Sequence, residues 1–262
     1  MPTEMTPAAA RLHFSHLAIL QLFVGDHRED TMDATVWIAL WAALFLGTHF
    51  ALSSTTLRPR LINVVGQQGF LGIYSLVAFA TLGPLIYEFA YNKHAGPMLW
   101  YLRTNPPIRW LAWILMYLAL VLFVASLINP NPGGLGAPKT SSTDPHGVLK
   151  ITRHPGFVAF TLFGLAHLMM NGWAGDVIFF ATFPALGIFG GIHQDARKIR
   201  DLGETYREFK TKTSFIPFVA LISGQLRWTS ADVPWAAIGA GTVLTIVIVA
   251  LHPVIFGGHP LG

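Results

Sequence analysis

The feature that most constrains this chain is a series of apolar stretches, each long enough to cross a lipid bilayer. About 20 mostly apolar residues are needed to cross the roughly 30 Å hydrocarbon core. Residues 34–57, for example, contain no Asp, Glu, Lys or Arg. The predicted spans are 34–57, 61–87, 110–129, 155–175, 177–194 and 234–256. No stretch alternates as a barrel strand does. The sequence therefore predicts an all-α, polytopic integral membrane bundle of about six transmembrane helices.

The composition supports a membrane protein and excludes several other classes. Charged residues make up 11% of the chain and the mean hydropathy is +0.51, whereas a soluble domain carries about 25% charged residues. This argues against a soluble enzyme and against a nucleic-acid partner, and it makes the lipid bilayer the expected surroundings. The chain has no cysteine, which excludes disulfides, thiolate nucleophiles and iron–sulfur clusters.

The spans define one predicted transmembrane domain, residues 34–256, with an N-terminal extension (1–33) and a short tail (257–262). Within the extension, residues 12–25 are apolar but are too few for a span. We interpret the extension either as an interfacial helix or as a consequence of start-site choice.

The positive charges predict an orientation. We call the side of residue 1 side A and the opposite side side B. Six spans leave five Lys and Arg residues on side A and twelve on side B, so side B is predicted to be cytoplasmic. Residues 193–227 on that side alternate in charge, and Tyr206 and Phe209 are three apart. This pattern predicts an amphipathic helix before the last span. His193 either pairs with Asp195 or lies at the surface.

Two histidines fall inside predicted spans, where ionisable side chains are usually functional. His49 is about 12 Å from the side-B end of the first span, and His167 is about 18 Å into the fourth span from the same side. Two facing helices would thus bring both imidazoles to comparable depth, as a bis-histidine haem requires. The alternative is that each ring only hydrogen-bonds a backbone carbonyl between helices. Histidines in predicted loops, such as His94, are interpreted as solvated.

Arg153 and His154 immediately precede Pro155, which suits the first turn of a helix. Placed at the membrane entrance beside free backbone donors, the two side chains could clamp a headgroup, a haem propionate or a phosphate. They could equally serve as a positively charged anchor with a helix cap, and the sequence alone leaves both interpretations open.

Several motifs together resemble one family of membrane proteins. The first half carries HFALS at 49–53 and GIYSL at 72–76, and the second half carries ITRHP at 151–155. These are followed in order by LAH at 165–167, Asp195, Arg197, KTS at 212–214, IPF at 216–218 and ALHP at 250–253. The chain resembles the NnrU family over about residues 35–256, and the second half is most similar to its 15-cis-zeta-carotene isomerase branch.

This resemblance implies a haem-dependent membrane isomerase that converts the 15-cis double bond of tri-cis zeta-carotene to trans in carotenoid biosynthesis. It implies haem b, with His49 and His167 as iron ligands and catalytic residues, and with Arg153 and His154 as further cofactor-binding residues. A polyene substrate and an electron donor are the implied partners. A bacterial inner membrane or a photosynthetic membrane is the implied location. Plant members carry a cysteine where this chain has Gly164, so thiolate ligation through that position is not expected here.

Two other functions remain open on the sequence. NnrU-type proteins are associated with nitrogen-oxide metabolism, which would make the chain a haem-binding accessory protein. The segments 153–157 and 203–209 also resemble membrane methyltransferases of the isoprenylcysteine type. Those enzymes usually carry an acidic pair, where this chain reads Asp195-Ala196-Arg197, so binding of a methyl donor is less favoured. A transporter is disfavoured because few charges lie within the spans and no inverted repeat is visible.

Overall fold

The computed structural model describes residues 27–129, 131–132 and 143–258, with side chains from residue 34 onward. The helices are α1 (His27–Leu52), α2 (Leu57–Tyr91), α3 (Pro106–Ile128), α4 (Pro155–Met170), α5 (Ala174–Leu202), α6 (Glu204–Lys212), α7 (Val219–Ile222) and α8 (Trp235–Phe256). Single 3₁₀ turns cover Gly147–Lys150 and Ser230–Asp232. No β-strand occurs in these described ranges, so the predicted helical membrane bundle is confirmed.

Among the described helices, α1, α2, α3, α5 and α8 are long and apolar enough to cross a membrane. The fourth predicted span is shorter than expected, because α4 has 16 residues and reaches only about 24 Å. α1 begins at His27, inside the predicted extension, and ends at Leu52, five residues before the predicted end. Residues 1–26 and 259–262 lie outside the described residues. The orientation assigned to side B stays a prediction.

The helices pack side by side in an order that differs from their order in the chain. Each contacts the next in the series α2, α1, α5, α4, α3, α8. α5 therefore lies between α1 and α4, which carry His49 and His167. α4 packs closely on α5 because glycines replace side chains at their crossing: a Cβ added to Gly164 would lie 2.3 Å from Pro184 Cδ, and one added to Gly187 would lie 2.2 Å from Thr161 Oγ1.

Local sequence features explain where several helices begin and bend. Asn105 caps α3 by accepting a hydrogen bond from the Ile108 backbone N–H, and Pro106 occupies the first turn, as expected. Pro155 likewise occupies the first turn of α4, which confirms the predicted start of that helix. α2 is kinked at Gly66, where φ is 73°; glycine adopts this left-handed conformation without strain.

The predicted amphipathic helix is α6, a shorter element than the segment 193–227. Tyr206 and Phe209 are fully buried, and they pack with Ala125 of α3 and Ala237 of α8 in one apolar cluster. Its charged residues face outward, where Arg207 pairs with Glu204 at 3.2 Å. α6 is thereby fixed across the side-B end of the bundle, directly under the start of α4.

Candidate functional site

His49 lies near the side-B end of α1 and contacts α2. Its Nε2 is 2.5 Å from the hydroxyl oxygen of Tyr74, and its ring centroid is 5.4 Å from that of Phe45. Whichever of the two atoms donates, Nε2 is engaged and would coordinate a metal only if the phenol moved away. Tyr74 belongs to the GIYSL motif, but nothing in that motif identifies it as the partner of His49.

His167 lies in an aromatic pocket between α4 and α5. Its Nδ1 is 2.9 Å from the carbonyl oxygen of Phe163, and its ring is stacked on Phe180 with centroids 4.5 Å apart. Because a carbonyl only accepts, Nδ1 carries the proton and Nε2 keeps its lone pair. Metal-binding histidines show this same second-nitrogen contact, so the tautomer of His167 suits it to a role as an axial ligand.

The structure does not bring His49 and His167 together. Phe50, next to His49, contacts Phe189 of α5, whereas His167 contacts Phe180 of α5. Nine residues separate these two contacts, which is about 13 Å of helix rise. Two axial nitrogens on one iron are only about 4 Å apart, twice a metal–nitrogen bond length. In this arrangement the two rings do not fit opposite faces of one porphyrin.

The prediction of comparable depth is wrong for a simple reason. α1 ends at Leu52, so His49 is three residues from the side-B end of its helix. His167 is three residues from Met170, at the side-A end of α4. Among the residues that the structure describes, His252 of α8 lies within electrostatic range of His167. Within the described ranges, no group of three or more His, Asp or Glu residues is arranged to hold a metal ion. Haem ligation by His49 and His167 stays a prediction.

The carboxylate of Asp195, near the side-B end of α5, is the centre of a buried polar network that we call the Asp195 hub. Arg153 donates from Nε and Nη2 at 2.9 and 2.7 Å to Oδ2, and the Nε2 of His154 lies 2.7 Å from Oδ1. The Tyr206 hydroxyl of α6 donates to Oδ1 at 2.7 Å. One carboxylate therefore joins the start of α4, the end of α5 and α6.

The hub decides how Arg153 and His154 are placed. Both side chains are buried, and Arg153 uses its remaining Nη1 to reach the Thr213 carbonyl at 3.3 Å. Burial lowers the pKa of His154 although the bond to Asp195 opposes this. Burial also raises the pKa of Tyr206, and Asp195 adds to that shift. An external anion would have to displace Asp195, so the predicted clamp on a propionate or headgroup stays a prediction without geometric support.

Two further side chains, Lys198 and His193, make polar contacts near the side-B end of α5. Lys198 donates to Asn131 Oδ1 at 2.6 Å and to the Pro132 carbonyl at 2.7 Å. The Nδ1 of His193 is 3.0 Å from the Ser53 hydroxyl oxygen, so the predicted pairing of His193 with Asp195 is wrong. His193 lies on α5, where it faces the end of α1.

An apolar cleft opens between α3 and α4 and reaches α5. Its volume is about 170 Å³, and all eight lining residues are Ala, Leu, Met or Phe. One of them, Phe163, also contacts His167 with ring centroids 4.3 Å apart. The cleft therefore ends against the aromatic pocket that holds His167. A hydrocarbon without polar groups is recognised by shape and apolar contact, and this cleft offers both.

Two proteins with known names are similar to this chain over most of its length. The protein is similar to the 15-cis-zeta-carotene isomerase, chloroplastic, of Arabidopsis thaliana, with 26% identity over 226 residues, which cover 82% of this chain and 59% of that protein. It is also similar to the protein of the same name from Zea mays, with 25% identity over 240 residues, covering 88% of this chain and 62% of that protein. The chain thus spans about three fifths of the length of these relatives.

No solved structure matches the chain. The sequence profile of one family, described as NnrU protein, matches residues 37–260. That range takes in the last 16 residues of α1 and every later helix that the structure describes, including both predicted histidines and the Asp195 hub. Because the match covers most of the sequence, the chain belongs to the NnrU family.

Proposed function

We propose that this protein is a membrane isomerase of a carotenoid polyene, acting on the 15-cis double bond of tri-cis zeta-carotene. Both relatives above carry the name 15-cis-zeta-carotene isomerase. The structural observation that carries the proposal is the wholly apolar cleft between α3 and α4, which ends at Phe163 beside His167. An apolar cleft of this size has room for one segment of a long polyene, which would be recognised by shape and apolar contact.

The cleft gives a direct test with a matched control on the same helix. Leu120 lines the cleft, whereas Leu118 is 43% exposed on the outer face of α3. We expect Leu120→Trp to fill the cleft and abolish conversion, and Leu118→Trp to keep it. The assay is the chromatographic separation of zeta-carotene isomers from cells that supply the tri-cis substrate, grown in the dark so that light does not isomerise it.

Three results of this assay would count against the proposal. The first is no conversion by the wild-type protein when it is present in the membrane. The second is full activity of Leu120→Trp. The third is equal loss of activity in both variants, which would indicate general damage to α3. Activity in nitrogen-oxide metabolism without isomerisation would favour the alternative role of the family.

Haem b remains a prediction that the pigment spectrum of the purified protein tests. The side chain that supports it is His167, whose Nε2 keeps its lone pair. His49 is engaged by Tyr74 and lies at another level, so the geometry supports no catalytic step through an iron held by both histidines. We expect the wild-type protein to show a b-type Soret band and the His167→Ala variant to lose it. The spectra of His49→Ala and His252→Ala are the two comparisons for the His167→Ala spectrum. A colourless wild-type protein after haem supplementation would reject the cofactor.

A further inference from the structure

Three arginines gather at the side-B end of the bundle, where α1, α2 and α5 meet. We call Arg58, Arg197 and Arg200 the arginine cluster. Arg58 lies over the Phe70 ring at 5.2 Å and is 3.5 Å from Asp201. Arg200 is 2.7 Å from the same carboxylate and also donates to the Thr55 carbonyl. One acidic group, Asp201, thus serves two of the three guanidinium groups.

Arg197 has no partner in this cluster. It is half-buried and forms no hydrogen bond or ion pair with any residue that the structure describes. It lies within electrostatic range of Arg58, Arg200, Asp201 and Tyr74. Lys198 of α5 adds positive charge nearby, and the nearby carboxylate of Asp195 is already saturated by its own donors. A partly buried cation with no carboxylate in contact with it is costly, and the three arginines of the cluster share the single negative charge of Asp201.

The surroundings of Arg197 indicate which anion supplies that charge. Below it on α5, towards the middle of the bundle, Phe189 and Ile192 are 59% and 56% exposed. Phe189 lies 11 residues before Arg200, which is about 20° of helix rotation, so exposed apolar surface leads up to the Arg200 side of the arginine cluster. This arrangement matches a lipid, whose acyl chains lie below its phosphate. A guanidinium also presents a planar fork of donors that fits phosphate oxygens.

We propose that Arg197, supported by Arg58 and Arg200, binds the phosphate of an anionic membrane lipid at the side-B end of α5. The site is separate from the cleft and from His167, but Arg197 also lies within electrostatic range of His49 and Tyr74. Its test measures lipid binding and stability only, so the outcome is distinguishable from a failure of the proposed isomerase activity.

The experiment is thermal unfolding of the delipidated full chain in neutral detergent, with added phosphatidylglycerol, phosphatidylcholine or inorganic phosphate. A ligand that binds only the folded state raises the melting temperature, by roughly 5 °C or more at saturating concentration. We expect this rise with phosphatidylglycerol and none with phosphatidylcholine. Arg197→Gln should lose the rise. It should also melt higher than wild type without lipid, because it removes repulsion from two neighbouring arginines.

The matched control is Arg207→Gln on α6, whose side chain is 56% exposed and pairs with Glu204; it should respond as wild type does. An unchanged lipid response in Arg197→Gln, or an equal response of the wild type to phosphatidylcholine, would overturn the proposal. A full rise in melting temperature with inorganic phosphate alone would show that the bound phosphate need not come from a lipid, and would overturn that part of the proposal.

A second measurement guards against misfolding of one variant. Native mass spectrometry should find phosphatidylglycerol retained on the wild-type chain and reduced on Arg58→Gln, at the edge of the cluster. Equal retention on both would again count against the site.

Discussion

The substitution Asp195→Asn should destabilise the protein more than any other single removal of charge at the side-B end. The carboxylate accepts hydrogen bonds from Arg153, His154 and Tyr206. An amide keeps one acceptor oxygen and turns its NH₂ group toward these donors. Arg153 is then left as a buried cation without a counter-ion, and breaking a buried pair in this way costs about 3–5 kcal/mol.

The effect can be measured as the melting temperature of the detergent-solubilised protein, followed by tryptophan fluorescence. For a chain of this size, 1 kcal/mol corresponds to roughly 2–4 °C, so we expect a fall on the order of 10 °C. The matched control is Asp201→Asn, on the same helix and at the same end. Asp201 is 36% exposed at its side chain and pairs with partly exposed arginines, so its loss should cost about 1 kcal/mol or less.

Equal melting temperatures for Asp195→Asn and the wild type would refute the reasoning, because they would mean that Arg153 finds another counter-ion or water. A large fall in both variants would also refute it, since the effect would then follow net charge and not burial. The quantity to measure is therefore the difference in melting temperature between Asp195→Asn and Asp201→Asn.

Three further predictions use the same unfolding assay. Gly164→Ala should cost about 1–3 kcal/mol by overpacking against Pro184, whereas Gly72→Ala, with no atom within 4 Å of the added Cβ, should be neutral or slightly stabilising. Tyr206→Phe should cost about 1.5–3 kcal/mol, because it removes a hydrogen bond to a charged group. Burial keeps the pKa of His154 below its usual 6.5, so the unfolded chain takes up a proton first as the pH falls. The contribution of His154 to stability should therefore be constant above about pH 6.5 and decline below it, and His154→Gln should reduce the decline of stability below that pH.

The helical bundle is predictable from the sequence because lipid imposes a length and an apolar composition on each span. Helix ends with a local chemical signal are also predictable, as at Pro155. The end of α1 is not, because residues 53–57 (Ser-Ser-Thr-Thr-Leu) carry no charge that would mark the end of the span. That five-residue difference moves His49 toward the end of its helix and removes the predicted alignment with His167.

Partners between helices are the least predictable part of the site. His94 is an exposed loop residue, as predicted, with 54% of its side chain accessible, but the sequence does not show that its Nδ1 lies 2.7 Å from the buried carboxylate of Asp176. The motifs mark Arg153, His154 and Asp195 as notable, but nothing in their spacing shows that one carboxylate serves both of the others. Such pairings depend on the spatial order of the helices, which hydropathy does not encode.

The length of α4 links the Asp195 hub to the proposed substrate cleft. A helix of 16 residues is too short for lipid to fix its depth, since neither end need coincide with a membrane surface. Its depth is set by protein contacts instead: the hub holds its first turn, Gly164 holds its middle against Pro184, and the indole of Trp100 donates to the Leu168 carbonyl at 2.9 Å. These contacts also set the level of His167 relative to the cleft. A change at the hub, some 18 Å away along the helix, should therefore alter the cleft end that Phe163 and His167 form, without touching any residue that lines it.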